Sequence, residues 1–243
     1  MKDNWYRQDQ MFAPKRRVNN KLSWKIPHSI GYFYSNKMDR TVEYESLGER
    51  IFYYFLELDP STIRYYVQPI EVGVPYIDDY GEQQTWTHIP DVLVFRRGEK
   101  PTLYQIKETN EFSKKKQLID KACLNFAKKN GWEYKVVYPK SLPKEVIHNI
   151  NFLIGFVREK DAYVLWIEEV LEKLRYFNSV SIQDVAISFK TKTDPLFILP
   201  VIYHLIASGS IYVNINEKIS PAAIIQPVKG KVLFSNYFIV EDC

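Results

Sequence analysis

The segment THIPDVLVFRRGEKPTLYQIKE, Thr87 to Glu108, constrains the fold of this chain more than any other. Two β-type runs, Thr85 to Phe95 and Thr102 to Lys107, flank the turn Arg96-Arg97-Gly98-Glu99-Lys100, which predicts two strands side by side. Pro90-Asp91 sits where the first run becomes wholly apolar, and Gln105-Ile106-Lys107 ends the second. Side chains alternate along a strand, so Gln105 and Lys107 share a face while Ile106 points into the opposite layer. A pair of strands that only built a core would have no need of an acid, an amide and an ammonium at one end.

Adjacent strands would bring those three groups to one point. A hard divalent cation such as Mg²⁺ takes oxygen ligands and keeps several waters. Asp91, the side-chain oxygen of Gln105 and the backbone carbonyl of Ile106 are the candidate ligands. Lys107 is placed to orient or help deprotonate an attacking water and to steady charge on a phosphoryl centre. The plainer alternative is an acid at a turn after proline and a solvated lysine at a strand end. A third acid is available in ESLGERIF, where Glu49 opens a helix read over Glu45 to Leu58. Leu47, Ile51, Phe55 and Leu58 share one face of that helix, and Glu49 lies away from it. Ser46-x-x-Glu49 is also a capping box, in which the carboxylate only bonds backbone N–H. Glu43 and Glu45 compete for the same role.

Around this segment the pattern runs helix, strands, helix, strand. Asp59-Pro60 ends the first helix. Ile63 to Val74 is β-rich, and a turn follows at Asp78-Asp79-Tyr80-Gly81. Ser113 caps a helix running to about Asn130, Gly131 stops it, and Glu133 to Tyr138 is a strand. The expected fold is α/β, a mixed sheet flanked by helices. After Pro143 the pattern turns helical over Glu145–Arg158 and Ala162–Phe177, then SIQDVAISF, TDPLFILPVIYHLIASG and a short strand SIYVNI. Helix, turn, helix and hairpin predict a mainly α, winged-helix-like C-terminal domain. The expected divisions are a basic arm over 1–30, a catalytic domain over 31–155 and the C-terminal domain over 156–243.

Composition excludes several classes. Hydrophobic content of 46 % with 26 % charged residues describes a globular chain, and 15 % aromatics leaves little room for long disorder. The two cysteines, Cys123 and Cys243, form neither a disulfide framework nor a zinc spacing, which fits a reducing setting. The N-terminus is charged rather than signal-like. Pro195 to Asn216 lacks formal charge, yet Pro200, His204 and Ser208-Gly209-Ser210 interrupt it, so no membrane span is expected. Residues 1–42 carry nine Lys/Arg against three Asp, a balance suited to a polyanion or to a solvated terminus.

The arrangement Glu49, Pro90-Asp91, Gln105-x-Lys107 resembles the active site of the restriction-endonuclease-like PD-(D/E)xK superfamily, with Gln105 where most members carry an acid. Within it the chain resembles the TnsA transposon-end nuclease family. The carrying residues are IPHSIGYFYSNKMDRTVEYESLGERIFYYFLELDPSTIRYYVQP, then IPDVLVF and YQIKE, including Ser35 to Glu49, Leu58-Asp59-Pro60 and Gln68-Pro69. That family also places Gln before x-Lys. The resemblance covers about residues 22–140 and implies a restriction-endonuclease-like sheet. It implies catalytic Glu49, Asp91 and Lys107, with Glu49, Asp91, Gln105 and the Ile106 carbonyl around Mg²⁺, for which Mn²⁺ substitutes. It implies hydrolysis of one strand at each transposon 5′ end. The implied partners are double-stranded DNA, an integrase-like (TnsB-like) transposase and an AAA+ (TnsC-like) regulator bound through the C-terminal domain. The implied setting is the bacterial cytoplasm, at the nucleoid when active. The alternatives are a stand-alone restriction or junction-resolving nuclease, a catalytically silent DNA-binding or scaffold module, and a winged-helix regulator.

Basic residues read as DNA contacts are Arg16, Arg17, Lys37 and Arg40 near the N-terminus, Arg96 and Arg97 in the turn, and Lys114 and Lys115 on the helix after Ser113. The alternative for the last four is a solvated helix face or an ordinary charged turn. His88, three residues before Asp91, is either an ordinary hydrogen-bonded histidine or an acid-base group. Tyr65, Tyr66 and Tyr104 read as sheet packing. The helix in TDPLFILPVIYHLIASG has no Arg or Lys, which argues for protein docking over groove reading.

Overall fold

The computed structural model describes residues 5–16, 30–108, 113–139, 142–228 and 240–242. The chain divides into two compact units, one of residues 1–52, 61–141 and 238–243, the other of residues 53–60 and 142–237. The boundary expected near 155 therefore falls inside the second unit. The helix that follows Pro143 buries Val146, Ile150 and Leu153, and so sorts with the helices after it.

The first unit opens with α1 (Tyr6–Met11), then β1 (Gly31–Ser35) and β2 (Arg40–Tyr44), an antiparallel hairpin. Helix α2 (Leu47–Leu58) follows; Ser46 Oγ caps it by accepting the Glu49 N–H at 3.1 Å, and its residues from 53 onward are counted in the second unit. Next come β3 (Thr62–Val67), β4 (Val72–Ile77), β5 (Gln83–His88), β6 (Val92–Arg96) and β7 (Thr102–Ile106). Helix α3 (Lys114–Lys129) and β8 (Glu133–Val137) complete the run.

A five-stranded sheet results when the last strand, β12 (Val240–Asp242), is added, in the order β12-β8-β7-β6-β3. Only β7 and β8 are parallel, and α3 supplies the crossover that parallel neighbours require. Ser113 Oγ caps α3 by accepting the Lys116 N–H at 3.1 Å. Tyr65 and Tyr66 are fully buried on β3, and Tyr104 nearly so on β7. The run Thr85 to Phe95 is two strands rather than one. Residues 89–91 break it at Pro90, which has no N–H for a ladder. β5 then pairs with β4 in a separate hairpin, while β6 joins the large sheet. The β-rich stretch Ile63 to Val74 divides in the same way into β3 and β4.

Residues 5–16 of the expected basic arm are docked on this unit. Phe12 is buried against Tyr66, Phe95 and Trp132 with ring centroids 5.2–6.1 Å apart, and Trp5 meets Phe95 edge-on. Asp9 accepts bonds from Arg64 Nε at 2.9 Å and Nη2 at 2.5 Å, and from the Tyr66 hydroxyl at 2.9 Å. Net charge alone concealed two aromatic anchors and one acid.

The second unit holds α4 (Lys144–Leu153), a 3₁₀ turn over Ile154–Phe156, α5 (Asp161–Phe177), β9 (Val180–Ser181), α6 (Ile182–Ile187) and α7 (Pro195–Ala207). β10 (Ile211–Val213) and β11 (Ile224–Pro227) join β9 in a small antiparallel sheet of order β10-β11-β9. Asp194 and Pro195 start α7, as a capping acid followed by proline should. Gly209 ends it at φ +73°, where a Cβ would stand 2.3 Å from the Pro60 ring. Among the described residues, no helix is long and apolar enough to cross a membrane.

Candidate active site

The site lies where β6 begins and β7 ends. Val92 faces Tyr104 across that antiparallel pair, so one further step of register sets Asp91 opposite Gln105. The Asp91 carboxylate accepts from the Ile106 N–H at 2.5 Å and from the Gln105 amide nitrogen. Its backbone carbonyl accepts from the Gln68 N–H at 2.8 Å. The first residue of the strand entrance is thus fixed from both neighbouring strands. Burial pushes the Asp91 carboxyl up to about 6, against the Ile106 N–H and the Lys107 charge, which favour the ionised form.

Glu49 reaches the same place from α2. Gly48, beside it, has its nearest outside neighbour in the Ile106 side chain, so the first turn of α2 rests on the end of β7. Glu49 Oε2 accepts the Glu45 N–H at 2.9 Å, one residue earlier than an ordinary capping box would place it. The cap and the site are therefore not exclusive, because the carboxylate that bonds the Glu45 N–H also feels the charge of Asp91. Burial and then the charge of Asp91 push the Glu49 carboxyl up to about 7. Glu43 is exposed on β2, and Glu45 is ion-paired to Arg16. Lys107 follows β7, donates its N–H to the Val137 carbonyl at 2.9 Å, and acts electrostatically on Asp91 and His88. Ile106 is in register with Val137 and gives its N–H to Asp91.

Gln105 is buried on β7, with both ends of its amide engaged. Its nitrogen donates to Asp91, and its oxygen lies 2.7 Å from His88 Nε2. In this arrangement its oxygen is turned away from Asp91. The sequence offered no reason to pair His88 with Gln105, because the two belong to different sheets.

Does this set fit a hard divalent cation? Among the described residues, no three His, Cys, Asp or Glu side chains converge as a metal cluster. Two partly buried carboxylates lie near enough for Asp91 to act on Glu49, and each is pushed up in pKa, a strain that a cation would relieve. With only neutral oxygens to add, the set fits an ion of the Mg²⁺ type that keeps most of its waters.

The basic residues divide into groups. Arg16 pairs with Glu45, and its charge favours ionised Asp91 and Glu49. With its amide oriented to satisfy both ends, Gln68 donates to the Arg16 carbonyl at 2.7 Å and accepts from Arg16 Nη2 at 3.2 Å. Gln68 also takes the Lys15 N–H on its carbonyl at 2.9 Å. It therefore ties the strap of residues 15–16 to Asp91. Gln68-Pro69 stood in the sequence motif without an assigned role. Arg16 and Arg40 share a cavity of about 370 Å³ with Glu43 and Gln68. Lys37 Nζ donates to the Thr62 carbonyl at 2.6 Å, and Arg96 donates to the Tyr104 hydroxyl at 2.8 Å, so both are engaged within the protein. Arg97, Lys114 and Lys115 are exposed, and Lys115 borders an apolar cavity of about 630 Å³ with Tyr76, Trp86 and Leu118. Arg17 lies outside the described residues.

Residues 59–138 match the family profile described as TnsA-like endonuclease N terminal. The matched segment spans β3 to β8 and includes Asp91, Gln105 and Lys107, while Glu49 precedes it. No curated protein matches the chain.

Proposed function

We propose that this chain, whose residues 59–138 match the TnsA-like endonuclease N-terminal family, is a Mg²⁺-dependent nuclease that hydrolyses one strand at the 5′ ends of a transposon. Its acids are Glu49 and Asp91, its base-positioning cation is Lys107, and Gln105 with the Ile106 carbonyl completes the oxygen set. The observation that carries this is Asp91 held by the Ile106 N–H at the end of β7, with Glu49 on the first turn of α2 near enough for the Asp91 charge to act on it, each carboxyl raised by burial. Two acids enclosed together cost stability, and a structural role would not require them.

A bound divalent ion would neutralise the two carboxylates and draw charge from a phosphodiester oxygen. The chain's own groups do the rest. The Ile106 N–H holds Asp91 in place, and the Glu45 N–H holds Glu49. Lys107 stands at the strand end with its ammonium acting on Asp91, where it can orient the attacking water and offset charge on the phosphoryl oxygens. The sheet and flanking helices support a restriction-endonuclease-like fold. The order α5, β9, α6, α7, β10, β11, with three antiparallel strands, supports a winged helix. Leu196 and Phe197 are each 69 % exposed at the start of α7, which bears no Arg or Lys. That favours docking to a protein, of which an AAA+ (TnsC-like) regulator is the family's example. The 3′ ends would fall to an integrase-like (TnsB-like) transposase, and the setting would be the bacterial cytoplasm.

One observation favours a second assignment, a catalytically silent nuclease-like module. Both ends of the Gln105 amide are engaged by protein groups, its nitrogen by Asp91 and its oxygen by His88. The test is cleavage of duplexes bearing transposon ends, with Mg²⁺, with Ca²⁺ and in chelator, with and without the partner transposase. Mg²⁺-dependent 5′-end nicking that needs the partner supports the proposal. Nicking without a partner favours a stand-alone nuclease, and none under any condition favours the silent module.

A further inference from the structure

The pair His88 and Gln105 goes beyond what the nuclease assignment uses. A carboxylate only accepts, so the Gln105 nitrogen must face ionised Asp91 and its oxygen must face His88. A carbonyl oxygen only accepts too, so His88 carries its proton on Nε2. The bonds run in one direction, from His88 to Gln105 to Asp91. In that direction Gln105 presents N–H, not oxygen, to Asp91 Oδ2, which also takes the Ile106 N–H. An acid at position 105 would have oxygens at both ends and would need no adjustment. An amide has to turn over, and its buried nitrogen must then find an acceptor where it previously had a donor. Imidazole can supply either at the same atom, because its two neutral tautomers exchange donor for acceptor at Nε2.

We propose that loading of a divalent cation at this site turns the Gln105 amide over and moves the His88 proton from Nε2 to Nδ1. His88 is then the positioning residue that allows Gln105 to act as an oxygen ligand. The proposal rests on the nuclease assignment of Asp91 and Gln105. The proton count balances: the ring holds one N–H before and after, exchanged through solvent, and the amide keeps both of its protons. His88 is half-buried at the end of β5, and burial favours its neutral form, which both tautomers require. Asp120 on α3 also acts on the ring electrostatically, in the opposite sense to burial.

The test uses the full chain and needs no DNA. Histidine labelled with ¹⁵N reports the His88 tautomer during Mg²⁺ titration, and ¹⁵N-glutamine reports the Gln105 amide, assigned with the Gln105→Glu variant. Mn²⁺ affinity is read by electron paramagnetic resonance. Mg²⁺ is expected to convert His88 from the Nε2–H to the Nδ1–H form and to shift the Gln105 amide resonance with the same midpoint. His88→Leu should weaken Mn²⁺ binding about tenfold in the Gln105 background and less than about twofold beside Gln105→Glu. His88→Gln, which can donate or accept, should recover most of the loss. Mg²⁺ binding with the His88 ring unchanged, or an equal His88→Leu effect in both backgrounds, overturns the switch and leaves the nuclease assignment standing. No binding of either ion at millimolar concentration overturns both.

Discussion

Gln68 donates its backbone N–H to the Asp91 carbonyl at 2.8 Å while holding φ +47° directly in front of Pro69. A residue before proline favours extended backbone, and a left-handed one with a side chain costs about 1–2 kcal/mol. Such strain persists where the surroundings over-determine it. Here Asp91, Lys15 and Arg16 all bond the same residue. Gln68→Val is expected to lower stability by about 2 kcal/mol, because a β-branched side chain tolerates this conformation least. Gln68→Gly, which frees the backbone but loses the Arg16 tether, should stay within about 1 kcal/mol of wild type. Urea denaturation of both variants checks this, and equal losses would contradict it.

The raised acids predict how the metal-free protein responds to pH. For Glu49 the folded pKa, about 7, lies above the ordinary 4.5, and for Asp91 about 6 lies above 3.8. Their stability contribution is therefore fully present below the ordinary values and is lost as pH rises through the folded ones. For Glu49 alone the loss is about 3 kcal/mol between pH 4.5 and 8. In chelator, wild type should lose more stability from pH 5 to pH 8 than Glu49→Gln does. Saturating Mg²⁺ should restore wild type at pH 8, since a ligand of the folded state stabilises it. Parallel pH curves for the two proteins would contradict the assignment.

Asp9 has the opposite sign. Burial acts to raise its pKa, but bonds from Arg64 and Tyr66 outweigh it and hold the carboxyl below its usual value. That contribution is present above the ordinary carboxyl range and is lost as pH falls through the lowered folded value. Asp9→Asn should cost about 1–3 kcal/mol at pH 7 and loosen α1 from the sheet. The check is faster amide exchange over residues 5–16 with β6 protection unchanged.

How much of this was legible beforehand follows from which interactions are local. The turn at Gly98 with apolar runs on either side announced β6 and β7, and register alone then brought Asp91 to Gln105. Caps at Ser46 and Ser113 are local as well, and they started two helices where their residue types said they should. The docking of α1 was not legible, because Asp9 finds Arg64 and Tyr66 more than fifty residues away. The break within Thr85–Phe95 had a signal in Pro90, which lacks an N–H, but that its two halves join different sheets was not legible. His88 and Gln105 meet through tertiary packing of a hairpin on the large sheet, so no spacing rule foretold their bond.

In the second unit, Asn149 is fully buried on α4 and holds the loop after β10. Its nitrogen donates to the carbonyls of Ile215 at 2.8 Å and Glu217 at 2.7 Å, and its oxygen accepts from the Ile219 N–H at 3.0 Å. Asn149→Ala leaves three backbone groups without this partner and should cost about 3 kcal/mol. Faster hydrogen exchange at the Ile219 amide, with α5 still protected, would show the loss is local. An unchanged Ile219 rate would contradict the clamp.

The most direct test of the central claim is single-turnover strand cleavage at transposon ends, with Mg²⁺ and the partner transposase, comparing wild type with Glu49→Gln, Asp91→Asn and Lys107→Met. Each variant is expected to bind the DNA within about threefold of wild type while the cleavage rate falls at least about 100-fold, the scale for losing a preorganised charged group. Wild-type rates in Asp91→Asn and Lys107→Met would contradict the assignment of this site.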